Sequence, residues 1–433
     1  MTPQSNFMVL STVNPDREAE LRRLLASMND APGRLNADNT LVPFRQLDTL
    51  HFARFVILDD KTLDDARVYG EPALTYPLYL AFLGDVDGEV AAFFDELAKV
   101  AGDGLRSIFS CCMGFSADTD IVGWMTRQNV HAIAAYVNWP GRTVRRVREE
   151  AALRTTLEAY IESNAASLTI LSPREIHTRL QTFARAQVSN GQLTLSGEDP
   201  TAPGWRISNF LHLIGAPILL LLASPLLMLV APAVLMSLRE LEQTDAELCW
   251  RVDQAHSDGL ALLEDHDITN QFTAMGSLKP GVLRMLTLIG VLGTVNYAAR
   301  HIVRPGRLGR IRTIHFARWV FLDDRKRMVF FSNYDGTVES YMDDFINKAG
   351  FGLNAVFSNG IGYPRTNWLI RDGCRDEQKY KDFLRRHTLP TQAWYKAYPG
   401  LTAVDLERNG RIRQGLESQS MSEQETREWL ALL

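Results

Sequence analysis

The fold class this sequence predicts is α+β: two tandem ferredoxin-like units arranged as in a dimeric α+β barrel, with an apolar membrane-associated helical segment inserted between them. Three observations predict it. One strand-like run returns almost unchanged, the same order of elements surrounds each occurrence, and a charge-free apolar stretch separates the two. The run His51-Phe-Ala-Arg-Phe-Val-Ile-Leu-Asp-Asp60 reappears as His315-Phe-Ala-Arg-Trp-Val-Phe-Leu-Asp-Asp324, differing only at Phe55/Trp319 and Ile57/Phe321. Internal repetition of this kind sets the architecture before any local signal is weighed. Phe82 to Phe115 also aligns without a gap to Phe330 to Tyr363, which pairs Asp87-Gly88 with Asp335-Gly336. Phe7 to Pro15 matches Phe272 to Pro280, and Pro140-Gly141 and Thr143 match Pro399-Gly400 and Thr402.

The elements of the first copy follow in order. Phe7 to Val13 alternates as a strand does, and Pro15 suits the first turn of a helix carrying Leu21, Leu24 and Leu25. His51 to Leu58 and Tyr79 to Leu83 are rich in β-branched and aromatic residues and read as strands. Val90, Phe93, Phe94 and Leu97 then recur at helical spacing, with Val338, Tyr341, Met342 and Phe345 as counterparts. Strands are expected at Ser107 to Cys112 and Asn354 to Ser358, completing a β-α-β-β-α-β order. Late strands near Ala132 to Asn138 and Gln392 to Tyr398 extend each copy. Residues 1–145 form the first copy, 146–266 a helical insert, and 267–433 the second copy.

Within the insert, Ile207 to Leu238 carries no charged residue. About 20 apolar residues suffice for one crossing of a bilayer, and two crossings need roughly 40. Paired copies must share one side of the membrane, so a re-entrant or interfacial hairpin bent near Ser224-Pro225 is expected. Pro217, Pro225 and Pro232 each remove a helical hydrogen bond. A second apolar stretch, Val282 to Ala299, occupies the first-helix position of the second copy and reads as a helix between the sheet and either lipid or the insert.

Composition is that of a globular protein: 433 residues, 46% hydrophobic, 22% charged, net charge −5. This balance gives no general attraction to nucleic acid. The short cluster Arg142, Arg145, Arg146 and Arg148 reads as a solvated helix start. Four cysteines (Cys111, Cys112, Cys249, Cys374) show no paired spacing and are expected to be reduced thiols. The amino-terminal residues lack the blocks of a secretory signal. The halves are therefore expected to be soluble and cytoplasmic, with the chain membrane-associated through its insert.

Positions identical in both copies serve the shared fold, whereas polar residues gained by one copy are candidates for function. The second copy gains Asn333 where the first has Asp85, and Trp394 where the first has Ala135. A site is thus expected in the second copy, with His315, Asp335, Arg318 and Asn333 as catalytic candidates and His315, Trp394 and Tyr395 as cofactor-binding candidates. Because His51 matches His315, a hydrogen-bonded core histidine in each half is the competing reading. Arg318 is expected to tie the sheet to a carboxylate such as Asp335. Asp87 and Asp335 are expected to cap the helices that follow them. His266 and Asp267, in the run Glu264-Asp-His-Asp267 with His256 upstream, are the metal candidates; a solvated loop is the alternative. His301, with Arg300, Arg304 and Arg307, could meet an anionic head group. The sequence has no P-loop, no G-x-G-x-x-G after a strand, no G-x-S-x-G and no zinc-type Cys/His spacing, which disfavours nucleotide-driven chemistry, serine hydrolysis and structural zinc.

The runs TIHFARW (Thr313 to Trp319), FFSNYDGT (Phe330 to Thr337) and KPGVLR (Lys279 to Arg284) resemble an uncharacterised bacterial protein family that is membrane-associated and has duplicated ferredoxin-like halves. Gly84-Asp-Val-Asp-Gly88 carries a looser likeness to the dye-decolourising peroxidases, which pair two ferredoxin-like halves and hold haem; the second copy reads Ser332-Asn-Tyr-Asp-Gly336 there. That likeness implies a membrane-associated oxidoreductase of peroxidase or monooxygenase type, with haem as cofactor and a lipophilic small molecule as substrate. The alternative is a non-enzymatic, membrane-anchored lipid-binding or scaffold protein. Membrane lipid is the expected partner in either case, and a homo-oligomer is left open.

Overall fold

A computed structural model describes residues 3–71, 75–197, 200–201, 203–248, 251–302, 306, 308 and 310–433. Cys249, Arg304 and Arg307 lie outside the described residues. The fold is α+β, with two four-stranded antiparallel sheets.

The first sheet contains β1 (Gln4–Thr12), β2 (Leu50–Leu58) and β3 (Tyr79–Asp87), and the second contains β5 (Thr269–Ser277), β6 (Ile314–Leu322) and β7 (Arg327–Asp335). Each sheet is closed at one edge by a strand from the other half of the chain. The orders are β1-β3-β2-β8 and β5-β7-β6-β4, where β4 is Ala134–Val137 and β8 is Thr391–Lys396. The exchange happens within continuous segments. Val130 N–H donates to Met8 O (2.8 Å) at the edge of the first sheet, and a few residues later Tyr136 pairs with Ala317 of the second. Leu389 N–H donates to Thr273 O (2.8 Å), after which Tyr395 pairs with Ala53.

The strands expected at Ser107 to Cys112 and Asn354 to Ser358 are not strands. They are mostly the final turns of α2 (Val90–Phe109) and α6 (Val338–Phe357) and the residues just beyond. In α2 the buried residues Phe93, Leu97, Ala101, Leu105 and Ile108 continue one helical face to its end. The apolar cluster there is that face, and a strand of a few residues could not compete with it. The closing strand of each half is therefore the later one, which crosses to the other sheet.

Packing forms layers. Helices α1 (Glu18–Ala26) and α2 cover the outer face of the first sheet through Leu21, Leu25, Phe93 and Leu97 against Phe7, Phe55 and Phe82. Helices α5 (Val282–His301) and α6 cover the second through Leu288, Leu292, Met342 and Phe345. Between the sheets lies a third apolar layer of Met8, Val56, Leu83, Val320, Val329 and Phe331. Every residue of β2 and β7 is buried, including Arg54 in β2 and Arg327, Ser332, Asn333 and Asp335 in β7. Helices α3 (Val144–Ser163) and α7 (Ala403–Glu417) follow the crossing strands and form a satellite core from Leu153, Leu157, Ile412 and Leu416, shared with Leu180 and Trp429. Cys111, Cys112 and Cys374 are free and buried; burial raises all three thiols and takes Cys112 to about 12.

The apolar insert is one helix, α4 (Pro203–Thr244), which runs through all three prolines. No hairpin forms at Ser224-Pro225. Pro225 leaves Leu221 O without its helical donor, and Ser224 Oγ donates to that oxygen at 2.7 Å, so the helix continues. The apolar run Ile207–Leu238 is about 48 Å long at 1.5 Å per residue. Leu219, Leu221, Leu222, Met228 and Leu229 are 67, 72, 72, 76 and 78% exposed. Neighbouring positions on a helix point in different directions, so the middle of α4 is uncovered on all sides. Helix α5 behaves differently: Leu288 and Leu292 are buried on the sheet, while Val282 and Leu286 remain exposed. By length and composition, α4 and α5 are both long and apolar enough to cross a membrane.

Phe331→Ala removes a ring from the layer between the sheets; denaturant titration of the purified protein should show a loss of about 3–5 kcal/mol.

Candidate functional site

The candidate catalytic residues fall into two groups. The first is a polar centre between the sheets. Arg54 and Arg318 sit at matching places on β2 and β6 and reach in opposite directions. Arg318 Nη1 donates to Phe7 O (2.8 Å), and its Nη2 donates to Gly84 O (3.0 Å) and to Asp85 Oδ1. Arg54 Nη1 donates to Phe272 O (2.9 Å), and its Nη2 donates to Ser332 O (2.8 Å) and to Asn333 Oδ1. Phe7 corresponds to Phe272, Gly84 to Ser332 and Asp85 to Asn333, so each arginine grips the same two strands of the opposite half. Arg318 thus pairs with Asp85 of the first half, not with Asp335 as the sequence suggested. A side chain on a strand can bridge two facing sheets as readily as it can reach along its own.

Asp85, Asn333, Arg54 and Arg318, with Phe52, Phe316 and Trp394, line a cavity of about 10 Å³. Trp394 stacks on Phe52 with ring centroids 5.4 Å apart, and the Arg54 guanidinium lies 4.8 Å from the Trp394 ring. Burial lowers Arg54 to about 9, with the nearby Arg318 charge adding to the effect and Asp85 opposing it. Burial raises the Asp85 carboxyl, against the pull of Arg318 and Arg54.

The second group contains the histidines. Both occupy register shifts: Leu50 faces Val86 and Phe52 faces Asp85, while Ile314 faces Tyr334 and Phe316 faces Asn333. A bulge re-aims the extra residue. His51 Nε2 lies 3.0 Å from Asp87 Oδ1, and His315 Nε2 lies 2.7 Å from Asp335 Oδ1. The carboxylates do not cap the helices that follow them; Thr337 caps α6 instead. Asp87 Oδ2 accepts from Val144 N (2.8 Å) and Asp335 Oδ2 from Ala403 N (2.6 Å), the first residues of α3 and α7. The helix N-terminus and the imidazole thus hold each carboxylate from two sides. His315 is 1% exposed. Its Nε2 faces Asp335, and the rings of Phe52 and Tyr398 lie against it. With its Nε2 turned to Asp335 and aromatic rings against it, His315 as placed offers that nitrogen to no haem iron.

The metal candidates diverge. His266 Nε2 meets Leu262 O (2.7 Å), Asp267 pairs with Lys396 (2.5 Å), Glu264 pairs with Arg385, and His256 meets Arg385 O. Among the described residues, no group of three or more His, Cys, Asp or Glu converges as metal ligands would. His266 and Asp267 do line an open cleft of about 370 Å³ with Arg34, Trp394, Tyr395 and Lys396. Arg146 and Arg148 pair with Glu150 and Asp48, and Arg145 is exposed at the start of α3.

The ends of α4 form further attachments, of which the sequence singles out only His301. Near its start, His301 Nδ1 lies 2.7 Å from Asn209 Oδ1, and Tyr297 Oη donates to His212 O (2.7 Å). At its far end, buried Glu242 accepts from Thr366 Oγ1 (2.7 Å), Trp368 N (2.8 Å) and Leu369 N (2.6 Å). Just beyond, Asp245 takes Lys279 and Arg284, each at 2.7 Å. Burial lowers Lys279 to about 8 despite the Asp245 charge. Carboxylates soon after the charge-free run Ile207–Leu238 are the available sequence signal, and their partners come from distant segments. Both ends of α4 are therefore tied to one body.

Comparison with protein-family models, with curated proteins and with solved structures finds no match for this chain.

Arg318→Ala should cost about 3–5 kcal/mol in denaturant titration, because Asp85 is left buried without its partner. Glu242→Ala leaves two backbone donors and a hydroxyl unpaired, at about 1–3 kcal/mol. Limited proteolysis should then cut near 239–248 sooner than in the wild type.

Proposed function

We infer that this chain is a membrane-attached lipid-contacting protein, built from two ferredoxin-like copies, whose α4 helix enters one leaflet while the double-sheet body rests on the surface. The observation that carries this reading is the exposure of α4 on every side. A helix apolar all round belongs in a large protein core or in lipid, and no core surrounds this one. A second copy of the chain would cover only a stripe of it, whereas lipid solvates the whole circumference.

Both ends of α4 return to the same body, which favours entry over crossing. The apolar run, at about 48 Å, also exceeds the roughly 30 Å of hydrocarbon that a span must match. Trp205 and Trp368 stand half-exposed near the two ends of the helix, and Trp368 lies 6.0 Å from the Arg239 guanidinium. Aromatic rings and arginines at the ends of an apolar segment suit the head-group layer. Arg206 and Arg300, exposed near the start of α4 and the end of α5, add charge that attracts anionic lipid. A peroxidase or monooxygenase reading has less support, because His315 is buried with its Nε2 on Asp335.

Purified full-length chain should float with phosphatidylcholine/phosphatidylglycerol vesicles in a density gradient. Leu221→Lys places a charge in the apolar run at about 2.5–3.5 kcal/mol and should reduce partitioning about a hundredfold. Wild-type protein that stays with the soluble fraction would overturn this function.

A further inference from the structure

The polar centre between the sheets is related by an internal twofold, with two departures at the site itself. Arg54 and Arg318 match, and so do their carbonyl partners, yet Asp85 faces Asn333. Two guanidiniums therefore share one carboxylate. Arg54, Arg318, Asp85 and Asn333 are all at most 4% exposed. Burying an uncompensated charge is costly unless another group neutralises it. Asn333 offers no charge: its Oδ1 accepts from Arg54, and its Nδ2 donates to Asp85 Oδ2 at 3.3 Å.

A second observation points the same way. Trp394 lines the same small cavity, is 7% exposed, and its Nε1–H has no hydrogen-bond partner among the described residues. Ala135, its counterpart in the first half, offers no such donor. The second half has thus lost a carboxylate and gained an N–H donor at one place. A cavity of about 10 Å³ has room for one small particle, and its walls bring together two arginines and the rings of Phe52, Phe316 and Trp394. Such a lining suits a weakly hydrated monovalent ion better than a multiply charged oxyanion, which would overfill the space.

We propose that the cavity between Arg54, Arg318, Asn333 and Trp394 binds a single halide ion, chloride in size and charge, which completes the neutralisation that Asp85 begins. The ion belongs to the fold's centre and is separate from the lipid contact of α4. Its binding stabilises the folded state by mass action, because the site does not exist in the unfolded chain.

The test is thermal unfolding of the full chain in detergent at constant ionic strength, with gluconate replaced stepwise by chloride or bromide. The midpoint should rise with halide and saturate. Trp394→Phe, which keeps the ring and removes the donor, should raise the half-saturating bromide concentration about tenfold. Asn333→Asp supplies the missing charge and should abolish the halide dependence. Crystals grown in bromide should show an anomalous peak in the cavity. A midpoint indifferent to the anion in wild-type protein, or a cavity holding only water in bromide crystals, would overturn the proposal. If Asn333→Asp does not fold, the Trp394→Phe titration decides, and an unchanged half-saturation there counts against the site.

Discussion

The structure depends on two arginines that cross between sheets. Arg54 and Arg318 each donate to backbone carbonyls of two strands in the opposite half. These carbonyls lie at the junction of the sheets, where water cannot reach them. Leucine at either position would pack well yet lose the bonds between the sheets, and at 318 would leave Asp85 buried without its cation; lysine has no planar fork to meet two strands at once. The arginines also set alignment: a slide of one sheet over the other by one residue would carry each guanidinium out of reach of its carbonyls. Apolar layers alone tolerate such slides, since Met8, Val56, Val320 and Phe331 are interchangeable greasy partners. The charged pair makes one alignment better than its neighbours.

Strand exchange adds connectivity to that alignment. Because the segments leading into β4 and β8 bond to one sheet at Val130 and Leu389 before the strands join the other, separating the sheets would break backbone hydrogen bonds as well as side-chain contacts. The His–Asp pairs stand at the ends of this exchange. Each carboxylate holds the first turn of the helix that follows a crossing strand, so His51–Asp87 and His315–Asp335 fasten the place where the chain leaves the sheets. This explains why the same residues occur in both halves and why they are sealed from solvent.

Much of this was legible in the sequence, and the part that was not has a common cause. The returning HFAR run, the strands around it and the charge-free helix are local patterns of period two, period 3.6 and composition. They appear in the structure where the residues place them. The failures concern partners. Arg318 was assigned to Asp335, whereas it reaches Asp85, far away in sequence. The apolar ends of α2 and α6 were given to strands because a buried helical face and a short strand look alike over a few residues. His266 and Asp267 were grouped by adjacency, but each turns to its own neighbour. The bulges at His51 and His315 could not be read either, since a register shift is a property of two strands together.

The exchange of β8 also bears on the order in which the protein can be made. The first sheet has an open edge until Thr391–Lys396 exists, long after its other strands, the last of which ends at Asp87. Helix α4 leaves the ribosome long before that, ahead of Thr366, Lys279 and Arg284, which later hold its far end. For that interval, the most apolar segment of the chain is attached to an unfinished body. On the lipid-contacting reading proposed above, the bilayer would shelter it during that interval, and the sheets would assemble afterwards around an anchor already in place.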